Sequence, residues 1–376
     1  MSEPVAESPL ASCHQSAGAK MIPFAGWNLP VQFSGLIQEH HATRQAAGLF
    51  DISHMGQIRA QGPGVLACLE SLLANDPAKL TDGEGHYSFL PNDRGGVIDD
   101  LFLYRLGPED FFLVVNASRH REVLNLLKKK ESPSARFTGA PGSTVGMALQ
   151  GPKAEAILNK LLVSSSGRAT SPQVASPLPA RNHIASFQLE GGDALVARTG
   201  YTGEDGFEIF TDLKTGPKIW TRLLEVGKPE GLLPCGLGSR DSLRLEAGLP
   251  LNGQDLSYDI TPVEAGMGFF VDVSRPRPFP GRPALEAQKK SGAPRVTIGL
   301  VGEAGQAPPR HGYPVFHGGK KIGEVSSGLP SPTLGHGIAL ALVEAPAPAL
   351  GQPVEIEVRG RRVPAKISKR KFLQNR

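Results

Sequence analysis

The chain has 376 residues, 40% hydrophobic and 20% charged, with 45 Gly and 33 Pro, enough for two or three domains rich in turns. Its formal net charge of +4 is small for this length and lacks the concentrated basic stripe of a nucleic-acid binder. Cys13, Cys68 and Cys235 stand far apart with no CxxC spacing. They argue against a disulfide framework or a structural zinc site and suit a reducing compartment. The opening MSEPVAESPLASCHQS has neither the charged-then-apolar pattern of a signal peptide nor the Arg-rich, acid-poor composition of a transit peptide. With no run of 18 apolar residues, no transmembrane helix is expected, and the expected compartment is the cytoplasm.

In chain order, LIQEHHATRQAAG (36–48) reads as a helix closed by Gly48, and PGVLACLESLLAN (63–75) as a second helix with Pro in its first turn. LFLYRL and FFLVVN form a hairpin about GPED, followed by ASRHREVLNLLKKKES as an amphipathic helix with a basic end. SSSGRATSPQVASP (164–177) reads as an exposed polar loop, and SRPRPFPGRP (274–283) as a linker or exposed crossing. From Val296 onward, short strands separated by Gly and Pro indicate an all-β domain. Its basic end, RGRRVPAKISKRK (359–371), reads as a solvated terminal strand.

Three segments carry candidate chemistry. In GGVIDDLFLY (95–104), two aspartates stand in a strand, where Asp is depleted. Alternation puts Asp100 on the face of Ile98, Phe102 and Tyr104, and Asp99 on the face of Val97, Leu101 and Leu103. Solvating both is harder, because they point in opposite directions, and a buried carboxylate needs donors or a charge partner. The bland reading has one capping the turn and the other paired with an arginine. The functional reading has an acid beside aromatic rings, suited to bind N–H groups of a heterocycle or to take a proton. In RTGYTGEDGFEIF (198–210), Gly200, Gly203 and Gly206 let the backbone bend or approach a ligand. Glu208 is either an exposed strand glutamate or a carboxylate aimed at adjacent N–H donors. In PCGLGSRDSLRLEAGLPLNGQDL (234–256), Ser239 reads as an N-cap and Gly248 as the helix stop. Arg240 then lies at the positive end of the helix, placed for a ligand carboxylate or paired with Asp241 or Glu246. His40, His41 and His54 lack zinc-ligand spacing and read as core or surface histidines. No GxSxG or HExxH motif is present.

Taken together, MIPFAGWNLPVQF (21–33), GLFDISHMG (48–56), HYSFLPNDRGGVIDDL (86–101), FFLVVNAS (111–118), LQGP (149–152), RTGYTGEDGFE, GLGSRDSLRLEAGLPLNGQD and SGLPSPTLGHGIALALV (327–343) resemble, in order, the aminomethyltransferase (T-protein) family of the glycine cleavage system. The resemblance covers about residues 18–370. It implies an α+β fold, a three-domain cloverleaf around a central folate channel. Residues 1–280 would hold two interleaved α+β subdomains, the first discontinuous, and 285–376 an all-β barrel or jelly-roll-like domain. It further implies transfer of the methylene carbon from the aminomethyl-dihydrolipoyl H-protein to tetrahydrofolate, giving 5,10-methylenetetrahydrofolate and ammonia. Tetrahydrofolate is then the co-substrate and the H-protein the partner, with no metal, nucleic acid or membrane. Position by position, Asp100 becomes the catalytic carboxylate, with Asp99 structural or its helper. Glu208 would hold the pterin, Arg240 would contact the folate tail side, and Tyr87, Asn116, Tyr104 and Met55 would line the channel. The chain ends in KRKFLQNR where relatives carry a longer proline-containing tail that touches folate, so Arg376 is the residue that could stand in; Ser239 replaces an Ala common in relatives.

The alternative within the superfamily is a non-catalytic folate-binding protein supporting iron–sulfur cluster assembly, but its KGCYxGQE-like motif is missing here. A relative of flavin-fused dimethylglycine or sarcosine oxidising enzymes would carry a strand-linked GxGxxG, also missing. A pure interaction scaffold would need no polar cavity.

Overall fold

The computed structural model describes residues 5–164 and 178–373. The polar loop expected over 164–177 lies outside the described residues from 165 onward, as does Arg376. The architecture is mixed α/β with a closed C-terminal barrel. Its contacts divide the chain into two units, one of residues 1–68, 78–86 and 101–240, the other of 69–77, 87–100 and 241–376.

The first unit centres on a six-stranded sheet in the order Ile184–Leu189, Gly192–Ala197, Gly206–Thr211, Val145–Gln150, Ala47–Asp51, Leu232–Cys235. Helices Ala154–Ser164 and Gly216–Gly227 contribute Ile157, Leu158, Leu161, Ile219, Trp220 and Leu223 to its core, against Leu49, Met147, Leu149, Phe207 and Ile209. Strands Val145–Gln150 and Gly206–Thr211 are buried along their whole length, as expected of strands covered on both faces. A second sheet has the order Gly85–Pro91, Val97–Gly107, Asp110–Val115, Gly56–Gln61, Arg136–Thr138. The expected hairpin about GPED is its centre, with Leu101 opposite Val115 and Gly107 opposite Asp110.

The helix expected over 36–48 stops at Gln45, and Gly48 lies inside the strand Ala47–Asp51. Its glycine answers a packing need and not a helix stop. A Cβ there would fall 2.3 Å from Thr43 Oγ1 and 2.8 Å from Cys235 Sγ. Glu39, fully buried in that helix, accepts from the backbone N–H of Phe33, Ser34 and Gly35 through Oε1 and from Gly236 N–H and Ser239 Oγ–H through Oε2. One carboxylate thereby satisfies the open N–H groups at two helix starts. Ser239 is accordingly no N-cap: the helix runs Leu237–Glu246, and its hydroxyl turns inward to Glu39. The helix expected over 63–75 is confined to Val65–Glu70. The basic helix spans His120–Lys128 behind a 3₁₀ turn at Ala117–Arg119.

In the second unit, the barrel closes in the order Arg295–Gly302, Gly337–Glu344, Lys320–Pro330, Pro314–His317, Pro353–Val358, Arg361–Ser368. The strand change read from Val296 onward is therefore a barrel, filled by Leu300, Val315, Ala341, Val343, Ile356 and Ile367. Arg361, Arg362 and Lys366 of the basic terminal strand are exposed. The Pro/Arg stretch is no linker. Arg275 is 5% exposed, lies 4.6 Å over the Phe279 ring and donates to Leu73 O, while Arg282 donates to Arg275 O and Val273 O. Side-chain donors that satisfy backbone carbonyls keep such a segment packed despite its prolines. A buried pair, Arg244 Nη1 to Asp255 Oδ2 at 3.0 Å, joins the helix Leu237–Glu246 to the chain after it, and Ser326 and Ser327 of the barrel bond to the same aspartate.

Asp51, buried in the first unit, accepts from Ser8 and Ser53 and meets His14 Nε2 at 2.7 Å, with His14 edge-on to Phe33 and Trp220. Burial pushes its carboxyl up, but the His14 contact and both serines outweigh this and hold it below the ordinary value. A depressed carboxylate stabilises the fold above its unfolded pKa and stops doing so as pH falls through the folded value. His14→Ala should cost about 3 kcal/mol in urea unfolding at pH 7. The difference from the parent should shrink as pH falls below the ordinary carboxylate range, through the lowered value at which the folded carboxylate takes up its proton.

Candidate functional site

The expected residues fall into two constellations, described unit by unit. In the first unit, the segment 198–206 is held from several sides. Gln150 donates to Thr199 O and accepts from Thr202 Oγ; Arg44, nearly fully buried, bonds Thr202 O and Glu204; Arg198 pairs with Asp205. The glycines follow from this packing. A Cβ on Gly200 would lie 1.8 Å from Gln150 Oε1, and one on Gly206 would lie 2.5 Å from Leu149 O.

The segment so fixed delivers Thr199 to Glu208. Thr199 Oγ donates to Glu208 Oε2 at 2.7 Å and lies 2.7 Å from the Tyr104 hydroxyl. A threonine hydroxyl has one proton, so Tyr104 must donate to Thr199, giving a relay Tyr104→Thr199→Glu208. Tyr104 is itself fully buried, and its ring takes the space that a side chain on Gly85 would need. Glu208 sits in strand Gly206–Thr211, paired with Ala148 and Ala197, and is 9% exposed. The exposed-glutamate reading is thereby overturned: the strand is central, so both its faces are covered. Burial raises the Glu208 carboxyl above its usual value, partly offset by the Thr199 hydrogen bond and the Arg240 charge. Burial raises the Tyr104 phenol as well, and the negative Glu208 adds to the effect.

Arg240 lies in the first turn of Leu237–Glu246, its backbone N–H bonded to Gly236 O. Its guanidinium stacks 4.8 Å over the Tyr201 ring, and its buried Nη1 has no hydrogen-bond partner among the described residues. Burial weakens its hold on the proton, which Glu208 and Tyr201 partly restore. The neighbouring cavity, bounded by Phe50, Asp51, Gly236 and Arg240, holds about 10 Å³, the volume of one water. His54 is a core histidine, held neutral near pKa 4 by burial and then by the Arg240 charge. Met55 directly precedes strand Gly56–Gln61 and Asn116 directly follows Asp110–Val115. Because Gly56 pairs with Val115, both stand at the same end of that strand pair.

The second unit holds Asp100. The alternation holds: Asp99 is fully buried, while Asp100 on the other face is partly exposed. Asp100 Oδ2 accepts from the Tyr87 hydroxyl at 2.7 Å, and Oδ1 accepts from Asn252 Nδ2 at 3.1 Å. Tyr87 is wedged edge-on against Phe89 and Phe270, at 5.1 and 5.2 Å between ring centroids. Asp241 pairs with Arg244, and Glu246 accepts from Ser331 and Thr333.

Thr199, Tyr201 and Asn252 are the functional positions that sequence reasoning passed over. Each lies inside a quoted motif, yet none is a charged residue in an apolar strand, the signal that singled out Asp100 and Glu208. Among the described residues no group of three or more His, Cys, Asp or Glu is placed to hold a metal ion, and no helix is long and apolar enough to cross a membrane. A cleft of about 440 Å³ on the barrel, edged by Ser368, Lys369, Arg370 and Lys371, contains none of the residues above.

The GCVT N-terminal domain family matches residues 10–275, and the glycine cleavage T-protein C-terminal barrel domain family matches residues 295–374. The chain belongs to the glycine cleavage T-protein family. It is 45% identical over 361 residues to an aminomethyltransferase of Bacillus cereus (strain AH187), covering 96% of each chain. Identity and coverage are the same for an aminomethyltransferase of Bacillus anthracis (strain CDC 684 / NRRL 3495). The crystal structure of glycine cleavage system aminomethyltransferase T from Bartonella henselae superposes with a TM-score of 0.88 at 33% identity, covering 99% of both chains. The activity is that of the family, aminomethyl transfer, and the mixed α/β fold with its closed barrel is the family's fold.

A carboxylate whose pKa is raised on folding begins to oppose the fold as pH climbs through its unfolded value, and does so fully above the folded one. Glu208→Gln keeps the acceptor for Thr199 and removes the charge. It should therefore raise stability at pH 7–8 by on the order of 1 kcal/mol. Urea midpoints measured from pH 4 to pH 8 should show that gain vanishing at the acid end.

Proposed function

We propose that this enzyme moves the methylene carbon from an aminomethyl group on the dihydrolipoyl sulfur of the H-protein to tetrahydrofolate, with Asp100 as its catalytic carboxylate. One carbon–nitrogen and one carbon–sulfur bond break, and two carbon–nitrogen bonds form. Of the two protons lost from the folate nitrogens, one leaves on ammonia as ammonium and the other on the dihydrolipoyl thiol. A carboxylate fits this demand twice. It accepts or relays the proton from the attacking nitrogen, and its charge stabilises the cationic carbon left as ammonia departs. The observation that carries this assignment is Asp100 itself, a strand carboxylate with an oxygen on each of two neutral donors, Tyr87 and Asn252.

Glu208 is assigned to the pterin. Its buried carboxylate suits adjacent N–H groups on a ring edge, and the hydroxyl relay from Tyr104 holds it in place. Arg240 is assigned to the carboxylates at the folate tail, which would satisfy the donor that no group among the described residues meets. Met55, Asn116 and Tyr104 are assigned to the walls around the bound folate, and Tyr87 to the support of Asp100. Binding both reaction partners in register supplies much of the remaining acceleration. The folate-binding region is placed at 1–280 and the all-β domain at 285–376, and the enzyme and its lipoyl partner are placed in the cytoplasm.

The test is ammonia release from aminomethylated H-protein, with and without tetrahydrofolate. Folate-dependent release is expected. Folate binding with no release would favour the assembly-factor reading instead. Asp100→Asn should leave folding and folate binding intact while turnover falls about a hundredfold or more. Turnover near the parental rate would remove Asp100 from the mechanism.

A further inference from the structure

Asp100 is held by a residue that the motif reading gave no role. We propose that Asn252 is a positioning residue for aminomethyl transfer, fixing the Asp100 carboxylate together with Tyr87 so that it presents one orientation to the reacting groups. The inference rests on the catalytic role proposed for Asp100.

The geometry is a two-point hold. The Tyr87 hydroxyl takes Oδ2 at 2.7 Å and the Asn252 amide takes Oδ1 at 3.1 Å. The amide must present its nitrogen, because its oxygen would place two acceptors against each other. Rotation of the carboxylate about its Cβ–Cγ bond would break both bonds together. Hydrogen bonds to an ionised acceptor are the stronger kind, and they favour the ionised form.

Both donors are themselves immobilised. Tyr87 is gripped edge-on by Phe89 and Phe270, and its carbonyl accepts from Asn75 Nδ2. Asn252 lies in a tight turn in which Gly253, at φ +88°, bonds through its N–H to Leu256 O, and Asp255 N–H bonds to Leu251 O. That turn is pinned at its base. Asp255 Oδ2 accepts from Leu251 N–H and from Arg244, and Oδ1 accepts from Ser326. The buried Arg244–Asp255 pair thus has a consequence beyond stability: it sets where the Asn252 amide points. Among the described residues, the titratable group bonded to Asp100 is Tyr87 of the neighbouring strand; Asp99 points to the opposite strand face, and Asp255 at the base of the Asn252 turn is bonded to Arg244.

The experiment uses the full-length enzyme with aminomethylated H-protein and tetrahydrofolate, and compares Asn252→Leu, Asn252→Asp, Asp100→Asn and the Asn252→Leu/Asp100→Asn double variant. Asn252→Leu should lower kcat about tenfold with KM for tetrahydrofolate within about twofold. Asn252→Asp keeps the shape of the side chain but sets a second carboxylate against Oδ1. The pair then shares a proton, so the acidic limb of the kcat profile should move up by about one pH unit or more, with activity recovering towards alkaline pH. In the Asp100→Asn background, Asn252→Leu should cost almost nothing more, since the two act as one unit. An unmoved acidic limb in Asn252→Asp, or an equal cost of Asn252→Leu in both backgrounds, overturns the inference while leaving the role of Asp100 standing. Near-parental turnover of Asp100→Asn alone overturns that role, and this inference with it.

Discussion

A carboxylate turned from bulk water must be met by donors, and each of the two units holds one that is. Asp100 rests on a phenol and an amide, and Glu208 on a threonine that a buried tyrosine supports. Neutral donors fix a carboxylate's direction without the strong pull towards ionisation that a directly bonded guanidinium exerts. Asp51 shows the opposite arrangement: His14 and two serines hold it down, and it serves only the fold.

Much of the remaining architecture supports those few hydrogen bonds. Gln150 reaches into the 198–206 segment and sets the position of Thr199, and that reach requires glycine at 200 and 206. Asp255, bonded to Arg244 and Ser326, shapes the turn that carries Asn252. Glu39 caps the start of the helix bearing Arg240 from within the core. Each is a buried polar group fully engaged in a network. Such groups cost most when one partner is lost, which makes them effective at specifying a single geometry.

What was legible in the sequence follows the same division. Period-two alternation put Asp99 and Asp100 on opposite faces, and one proved buried while the other meets donors. The hairpin and the barrel were legible because strand residues alternate with turn residues at short spacing. Gly48 misled because a glycine after a helical stretch reads as a stop, whereas here it yields to Thr43 and Cys235 from distant parts of the chain. Glu208 left two readings open in the sequence, because a single charge in a short apolar strand does not reveal whether the sheet continues on both sides; burial removes the exposed one. Ser239 met the rule for a cap, yet Glu39, 200 residues earlier, already did that work. The prolines of 274–283 read as a linker or an exposed crossing, and half of the stretch is exposed; what spacing could not show is the carbonyl acceptors of Arg275 and Arg282 that pack the rest. Asn252 and Thr199 were illegible for a related reason. Neutral polar residues acquire a role only through partners that are distant in sequence.

The two carboxylates of the proposed reaction differ in a way that matches their assigned tasks. Glu208 is almost sealed off, raised by burial and joined to a relay whose far end, Tyr104, is harder still to ionise. A group so enclosed exchanges protons poorly with solvent and is best used as a fixed acceptor. Asp100 retains exposure, lies in the strand that leaves the Gly95–Gly96 turn, and is bonded to two side chains that fix its direction. That difference in enclosure suits the first to binding and the second to proton transfer. The separation comes from burial and neighbouring donors, since the residue types themselves are nearly the same.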